Sequence, residues 1–424
     1  MNNILLKGVK VIDPSSAYHS KQTNILIENG KISKIGDIQD AKDAVSIDGA
    51  QYSVSPGWID MRSSLSEPGI EHKETIDSLC RTAASGGFTD VVTFPNSKPA
   101  VQTKEAVSFI KNRAAFSPVD LHPVAAATKD LKGEEMTELQ DLHIEGAIAF
   151  SDAEHPMWHL GVARRILQYL KPFDGLLIVS PEETQMHQNG QMHEGITSTL
   201  MGTRGIPSLA EDIAIERFIS LLGYTGGKIH FSNISTSGAV ELIRKAKANG
   251  LQVSCDIAAH QIAFTDEDMM GFDTNFKVKP PFRLKSDVEA LWEGIKDGTI
   301  DAIVSSHAPQ DIESKELEFE LADFGAIGLQ TAFSALMSNK PADVSTEVII
   351  EKLTTGPRGL LKLENPSIVE GAEAKLTIFD EQDFWTFTKE NNKSLSNNSP
   401  FFGKLLKGKV VGTVNGTKNS LPSA

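Results

Sequence analysis

Hydrophobic and polar residues alternate in short runs at both ends of the chain. Near the start, the runs 24–27 and 31–35 flank Asn29-Gly30, a pair that favours a tight turn between two strands. Near the other end, residues 371–380 and 406–416 have the same β-hairpin character. We therefore predict hairpins at both ends and expect them to build one small β domain together.

The middle of the chain, from Trp58 to about Leu361, has a different pattern in which short apolar runs alternate with helical stretches. The apolar runs include 89–94, 176–179, 228–231, 251–255 and 302–304, and the helical stretches include 74–85 and 157–171. Repeated strand–helix units favour a parallel sheet, and their number favours a closed barrel. We predict an α/β protein with a TIM-type (β/α)8 barrel over 56–364 and a small β-sandwich domain formed by 1–55 and 365–424.

Composition and charge narrow the possible partners of this chain. Its 424 residues are 40% hydrophobic and 23% charged, which is typical of a globular protein with a sizeable core. The net charge of -15 disfavours nucleic acid and anionic membranes as partners, because both need a basic patch. Cys80 and Cys255 are too few for a disulfide framework, so we predict buried thiols. Without a leader or a long apolar run, a cytoplasmic location is expected.

A series of short segments, in a fixed order, carries a resemblance to a known family. The segments include Pro56-Gly57-Trp58-Ile59-Asp60, Lys73-Glu74-Thr75-Ile76, Phe94-Pro95-Asn96-Ser97-Lys98-Pro99, Ala149-Phe150-Ser151-Asp152, Lys279-Pro280-Pro281-Phe282-Arg283 and His307-Ala308-Pro309. Over nearly its full length the chain resembles bacterial dihydroorotases of the multifunctional-complex type, which are cyclic amidohydrolases of pyrimidine biosynthesis. The resemblance implies a barrel of the metal-dependent hydrolase kind, with zinc in active members.

The resemblance also implies six positions for metal ligands and proton transfer, and five of them carry unsuitable residues. Asp152 is retained, whereas the other five positions hold Arg62, Ser64, Ser180, Asn233 and Ser306. An arginine cannot ligate a metal, and its fixed charge would repel a dication by several kcal/mol. Ser306 cannot carry a proton at neutral pH. We therefore predict no metal site and no cofactor.

Arg62 is the most informative of these replacements. Its guanidinium could take over the charge of a metal ion and pair with Asp152, whose buried carboxylate would otherwise be unmatched. Arg62→Ala would then destabilise the fold. The alternative is that Arg62 points into solvent.

The substrate contacts that the resemblance implies are altered as well. Ser66 stands in place of an arginine, Gln310 in place of a histidine, and Lys279 is a further altered pocket position. Only Asn96 is retained, and an equally good interpretation of Asn96 is a turn residue beside Pro95.

The 11 histidines were searched for a substitute metal site. His155 and His159 lie four apart at a predicted helix start, where they could share one face, but no third ligand accompanies them. His260 and His307 align with positions beside the site in the resembling family. An ordinary surface or core role is the simpler interpretation of all of these histidines.

Two hypotheses for function follow. In the first, the chain is a catalytically inactive dihydroorotase-like protein that acts as a structural or regulatory partner, possibly of aspartate carbamoyltransferase, or as a homo-oligomer. In the second, it is an active amidohydrolase with an altered or metal-free site that opens cyclic amides such as dihydroorotate. Loss of ligands alongside retained turn and packing motifs favours the first hypothesis.

Overall fold

The computed structural model describes residues 3–38, 41 and 44–422, and its first part is a group of β-strands. These are β1 (Asn3–Val11), β2 (Gln22–Glu28), β3 (Lys31–Gly36), β4 (Ala44–Asp48) and β5 (Ser53–Pro56). β1, β2 and β3 are antiparallel neighbours, and Asn29 and Gly30 join β2 to β3 with positive φ angles. The predicted hairpin turn is therefore confirmed, because this turn needs left-handed backbone.

Short strands and helices alternate in the middle of the chain. The strands are β6 (Trp58–Ser63), β7 (Phe88–Thr93), β8 (Asp120–Pro123), β9 (Ala125–Ala126), β10 (Phe150–Ser151), β11 (Leu177–Val179), β12 (Met192–His193), β13 (Gly205–Ile206), β14 (Ile229–Phe231), β15 (Val253–Ala258) and β16 (Ala302–Val304). The helices are α1 (Ile76–Ser85), α2 (Lys104–Arg113), α3 (Leu139–Glu145), α4 (Leu160–Leu170), α5 (Ile196–Met201), α6 (Ser208–Thr225), α7 (Ser237–Ala248), α8 (Lys285–Lys296), α9 (Ile312–Lys315), α10 (Ala332–Asn339), α11 (Thr346–Leu353) and α12 (Thr355–Leu361). The predicted mixed α/β architecture is confirmed.

Two parallel sheets position the strand ends that matter for function. One has the order β6-β7-β8, and the other has the order β16-β15-β14-β11-β10-β9. Ile148 donates to the carbonyl of Pro123, which connects the sheets at one edge, and Ser63 forms a parallel bridge with His307 at the other. Closure of these sheets into an eight-stranded barrel stays a prediction.

The C-terminal strands return to the N-terminal ones. They are β17 (Lys375–Thr386), β18 (Leu405–Asn415) and β19 (Lys418–Asn419). β17 pairs antiparallel with β5, so both ends of the chain share one eight-stranded sheet. Between β17 and β18, Phe387 and Phe401 pack into the large hydrophobic core of the α/β part. The β-sandwich and the domain limits 1–55, 56–364 and 365–424 stay predictions.

A buried charge cluster links the α/β part to the terminal sheet. Asp90 on β7 accepts hydrogen bonds from Arg358 at 2.6 Å and from Lys375 on β17 at 2.7 Å, and His122 lies at 2.9 Å. Burial alone would raise the pKa of Asp90, but the His122 hydrogen bond and the two cations hold it well below its usual range. The cluster therefore joins β7, β8, α12 and β17 through one carboxylate.

Two findings concern the chain as a whole. Cys80 and Cys255 are buried and free, as predicted. Among the helices of the described residues, none combines the length and the apolar character needed to cross a membrane.

Candidate functional site

Most of the predicted site residues meet in one cavity at the carboxyl ends of the parallel strands. The cavity has a volume of about 550 Å³, and its walls include Arg62, Ser64, Ser66, Asn96, Lys279, Ser306 and Gln310. Ser180 and Asn233 line a smaller adjoining recess, which shares Arg62, Glu154 and Lys279 with the cavity. They come together because the carboxyl ends of neighbouring parallel strands lie at the same edge of a sheet.

Arg62 lines both the cavity and the recess. Its side chain is buried, and its Nη1 donates to the hydroxyls of Ser180 and Ser232, each at 3.1 Å. The guanidinium carbon lies 4.7 Å from the centre of the Phe94 ring, within the range of a cation–π contact. Its nearest carboxylate is Glu154, with Oε1 3.8 Å from Nη2. Neutral groups therefore provide the closest contacts of this buried cation.

The predicted pairing of Arg62 with Asp152 is wrong. Asp152 accepts hydrogen bonds from the backbone N–H of Thr128 at 2.8 Å and from its hydroxyl at 2.6 Å, and it lines neither the cavity nor the recess. Burial raises the pKa of Asp152, although the Thr128 hydrogen bonds oppose this. The alternative, an Arg62 turned to solvent, is also wrong, since only 6% of the residue is exposed.

Ser232 connects Arg62 to a buried carboxylate. Its hydroxyl accepts from Arg62 and donates to Asp256, at 2.9 Å from Oδ2. Asp256 also accepts from the backbone N–H of Asn233 at 2.6 Å, and His230 Nε2 lies 2.8 Å from its carboxylate. A hydroxyl between a cation and a carboxylate is polarised in one direction, which strengthens both hydrogen bonds. Asp256 thus offsets part of the Arg62 charge through Ser232.

Asn233 and Ser306 form a second polar contact at the edge of the recess. Asn233 Nδ2 donates to Ser306 Oγ at 2.7 Å. Their φ angles are 57° and 48°, a left-handed conformation that residues with a β-carbon seldom adopt and that is often found at functional sites. The carbonyl oxygen of the Asn233 side chain is buried and has no hydrogen-bond partner among the described residues.

Asp60 lies beneath Arg62 on the same strand. Its carboxylate accepts from the backbone N–H and the hydroxyl of Ser305, both at 2.7 Å. Burial raises the pKa of Asp60 to about 7, which the Ser305 hydrogen bonds oppose and the charge of Asp256 reinforces. No cation contacts Asp60 within the described chain, so it gains a proton more readily than an ordinary aspartate.

The C-terminal segment between β17 and β18 reaches a cavity residue, His307, through Glu74. Glu74 accepts from the hydroxyl of Ser394 and from the backbone N–H of Leu395, and it lies 3.4 Å from His307 Nε2. The other ring nitrogen of His307 accepts from Gly328 N–H at 3.2 Å. His307 lines the cavity, as expected, but both of its ring nitrogens are engaged by the protein.

His155, His159 and His260 form no substitute metal site among the described residues. His159 caps α4 by accepting from Gly161 N–H, and α4 begins at Leu160. His155 and His159 therefore precede the helix, and the idea that they share a helix face is wrong. His260 is buried, and burial together with the Arg62 charge lowers its pKa to about 4, so its ring is neutral.

Comparison with known proteins identifies the family of this chain. Residues 53–239 match a family model described as dihydro-orotase-like. The chain is 39% identical over 417 residues to the dihydroorotase of Geotalea daltonii, and 39% identical over 415 residues to that of Pelotomaculum thermopropionicum. Each alignment covers 97% of both chains. The chain belongs to the dihydroorotase-like family.

Solved structures show that this dihydroorotase-like protein has the hydantoinase type of fold. The L-hydantoinase of Arthrobacter aurescens superimposes with a TM-score of 0.85 at 22% identity, over 99% of this chain and 96% of that chain. A D-hydantoinase superimposes with a TM-score of 0.81 at 20% identity, over 99% of this chain and 95% of that chain. At this level of identity the likeness concerns the fold alone.

The residues of this dihydroorotase-like protein do not fit a zinc ion. A catalytic zinc site needs three protein ligands of the histidine, cysteine or carboxylate type. Among the described residues, no group of three or more His, Cys, Asp or Glu side chains is placed to hold a metal. Of the six positions that the resemblance implies, only Asp152 has a suitable side chain, and it does not line the cavity. Two of the other positions, Arg62 and Ser180, are hydrogen-bonded to each other.

Three functional neighbours were missed by the sequence reasoning. Glu154 follows the predicted Asp152 by two positions, and Ser232 directly precedes Asn233, so both lay next to predicted residues. Asp256 follows the apolar run 251–255 at a strand end, which is where polar site residues of parallel sheets occur. Lys279 was predicted as an altered pocket position, and its ammonium pairs with Glu182 at 2.6 Å.

Proposed function

We propose that this dihydroorotase-like protein does not hydrolyse cyclic amides and acts in pyrimidine biosynthesis as a structural or regulatory partner of another protein. The observation that carries the proposal is the buried guanidinium of Arg62 in the wall shared by the cavity and the recess, hydrogen-bonded to Ser180 and Ser232. Arg62 and Ser180, two of the positions at which the resemblance implies metal ligands, are thus hydrogen-bonded to each other.

The chemistry of the remaining side chains supports this proposal. Opening a cyclic amide needs an activated water and a group that carries its proton. Ser306 cannot serve as that group at neutral pH, and both ring nitrogens of His307 are held by Glu74 and Gly328. Asn96, the retained substrate position, uses its Oδ1 to accept from Leu65 N–H at 2.9 Å. This contact joins two separate segments of the chain and supports a structural role for Asn96.

The proposed partner is aspartate carbamoyltransferase or a second copy of the chain. Apolar side chains four residues apart are exposed on α5, where Ile196 is 81% and Leu200 is 71% exposed. Such pairs present a common face and are typical of surfaces that contact another protein. We further infer that the two parallel sheets close into a (β/α)8 barrel, that the terminal sheet forms a β-sandwich, and that the protein is cytoplasmic.

The alternative function is that of an active amidohydrolase with an altered site. It is supported by the relatives, which are named dihydroorotases, and by a cavity that is large enough for a cyclic amide. The two functions make opposite predictions for one assay. We expect no opening of dihydroorotate by the purified protein, with or without added zinc, under conditions in which the Geotalea daltonii dihydroorotase is active. Zinc-dependent turnover near that of the relative would contradict the proposal.

A second experiment tests the partner. The purified protein, alone and mixed with aspartate carbamoyltransferase, is analysed by size-exclusion chromatography with light scattering. We expect either a joint complex or a homo-oligomer, and we expect Leu200→Glu to weaken it while an exposed change elsewhere, Glu364→Gln, does not. A protein that stays monomeric in both samples would contradict a partner role.

A further inference from the structure

Arg62 has a hydrogen-bonding edge that the protein leaves unused. A guanidinium has five N–H donors, and the two on Nη1 are matched by the hydroxyls of Ser180 and Ser232. Within the described chain, Nε and Nη2 make no hydrogen bond, yet neither is among the fully occluded unpartnered atoms. Both therefore retain accessible surface on a side chain that lines the cavity.

The unused edge has the geometry of an oxyanion receptor. Nε–H and one Nη2–H of an arginine point in parallel and match the two oxygens of a carboxylate or a phosphate. Arg62 is held in place by Phe94 and the two serines, so little side-chain entropy is lost on binding. The edge is therefore pre-organised for a bidentate contact.

The surroundings leave the Arg62 charge incompletely matched. Glu154 is the closest carboxylate at 3.8 Å, which exceeds hydrogen-bond reach, and its side chain is 39% exposed. Glu182 is engaged by Lys279, and Glu211 by Ser235 and Arg283. The cavity walls also include Ser64, Ser306 and Lys73, whose ammonium pairs with the Asp323 carboxylate at 3.4 Å. Its volume of about 550 Å³ greatly exceeds the roughly 30 Å³ that a water molecule takes in the liquid.

We propose that the cavity binds a small oxyanion, a carboxylate or a phosphate, through the Nε and Nη2 edge of Arg62. This inference rests on the proposed function, because a site without a catalytic metal leaves the guanidinium to act as the anchoring cation. The bound anion would neutralise a buried charge and stabilise the strand ends around it. Binding of a small anion would then change the stability of the protein, and no substrate would be hydrolysed.

The test is a titration of the full chain with inorganic phosphate and, separately, with acetate, at constant ionic strength set with chloride. The melting temperature is followed, because a ligand that binds only the folded state raises it in a saturable way. Arg62→Lys keeps the charge and removes the fork, and Glu154→Gln removes the competing carboxylate. Glu364→Gln is the matched control, since it removes an exposed charge that lines neither the cavity nor the recess.

We expect saturation by at least one of the two anions in the natural chain and in Glu364→Gln. The half-saturating concentration should rise by about tenfold in Arg62→Lys, the factor expected for loss of a charge-assisted hydrogen bond, and should fall several-fold in Glu154→Gln. A response to phosphate alone shows that the site prefers a phosphate group, and a response to acetate alone shows that it prefers a carboxylate. If Arg62→Lys does not fold, Glu154→Gln decides the question.

No saturable response to either anion, or equal half-saturation in the natural chain and Glu154→Gln, would overturn the inference. Its failure is distinct from that of the proposed function. Turnover of dihydroorotate would overturn the proposed function whatever the titration shows, and a flat titration in a chain without turnover would overturn only the anion site.

Discussion

Arg62 and Asp90 are buried charged residues on the adjacent parallel strands β6 and β7, but their surroundings differ. Asp90 lies near the start of β7 and is contacted by Arg358, Lys375 and His122. Arg62 lies near the end of β6, where two hydroxyls and an aromatic ring are its closest partners. Asp90, at one end of this strand pair, is thus surrounded by cations. Arg62, at the other end, has no carboxylate within hydrogen-bond distance.

This difference in partners suggests a structural role for the Asp90 cluster and a binding role for Arg62. Burying a charge is costly unless opposite charges and hydrogen bonds surround it. Around Asp90 that requirement is met entirely by the protein, so nothing else is needed there. Around Arg62 the requirement is only partly met, and the open side faces a cavity. We infer that the Asp90 cluster stabilises the fold, whereas Arg62 is placed for binding.

The largest effect is expected for Asp90→Asn. Removing the carboxylate leaves Arg358 buried and without its partner, and losses of this kind are about 3–5 kcal/mol in the free energy of unfolding. The matched control is Asp174→Asn, because Asp174 also pairs with two lysines, Lys228 and Lys362, but at the surface. The control should lose less than about 1 kcal/mol. Chemical denaturation measures both, and equal losses would contradict a structural role for the Asp90 cluster.

The next effect concerns Asp60, a buried carboxylate without a cation, whose pKa is shifted opposite to that of Asp90. Its folded-state pKa of about 7 exceeds the ordinary aspartate value of 3.8, so its contribution to stability is present below pH 3.8 and is lost as the pH rises to about 7. The slope is at most about 1.4 kcal/mol per pH unit. Asp60→Asn should remove this slope. The free energy of unfolding of the variant should therefore rise relative to that of the natural chain between pH 4 and 7. If the free energy of unfolding depends on pH in the same way in the natural chain and in Asp60→Asn, the raised pKa of Asp60 is refuted.

A small effect on stability is expected for Arg62→Met. The Ser180 hydroxyl still donates to Ala153 O and the Ser232 hydroxyl to Asp256, so no buried group loses its only partner. Replacing an incompletely matched charge by an apolar side chain is often neutral, and we expect a change within about 1 kcal/mol. Thermal and chemical unfolding measure this change. A loss as large as that of Asp90→Asn would show that Arg62 is a structural residue.

No gain of activity is expected when histidines are restored at the first strand alone. The variant that combines Arg62→His with Ser64→His still has Ser180, Asn233 and Ser306 at the other positions, and Asp152 stays bound to Thr128. Three suitable ligands would not face one point in the cavity. Dihydroorotate turnover in this variant, measured with added zinc, would show that the site lies elsewhere.

Much of the fold could be predicted from local patterns. The hairpin at Asn29-Gly30 and the strands at 177–179 and 302–304 lie where turn chemistry and apolar runs place them. The cavity positions could be predicted because they follow strand ends in the segments that carry the resemblance to dihydroorotases. Local pattern and family motif were therefore sufficient to bring Arg62, Ser64 and Ser306 together.

The partners of the buried charges could not be predicted in the same way. Asp90 and Arg358 are 268 residues apart in the chain, and no local pattern signals such a pair. The predicted Arg62–Asp152 pairing is wrong because Thr128, which follows β9, donates two hydrogen bonds to the Asp152 carboxylate. Which acceptor a buried cation finds depends on side-chain positions across several strands.

In our interpretation a guanidinium stands where the resemblance implies a metal ion. The decisive experiment is elemental analysis of the purified protein after equilibration with zinc and exhaustive dialysis, with the Geotalea daltonii dihydroorotase treated in parallel. We predict far less than one zinc per chain, because no three suitable ligands meet among the described residues. Retention of about one zinc per chain would contradict this interpretation of Arg62.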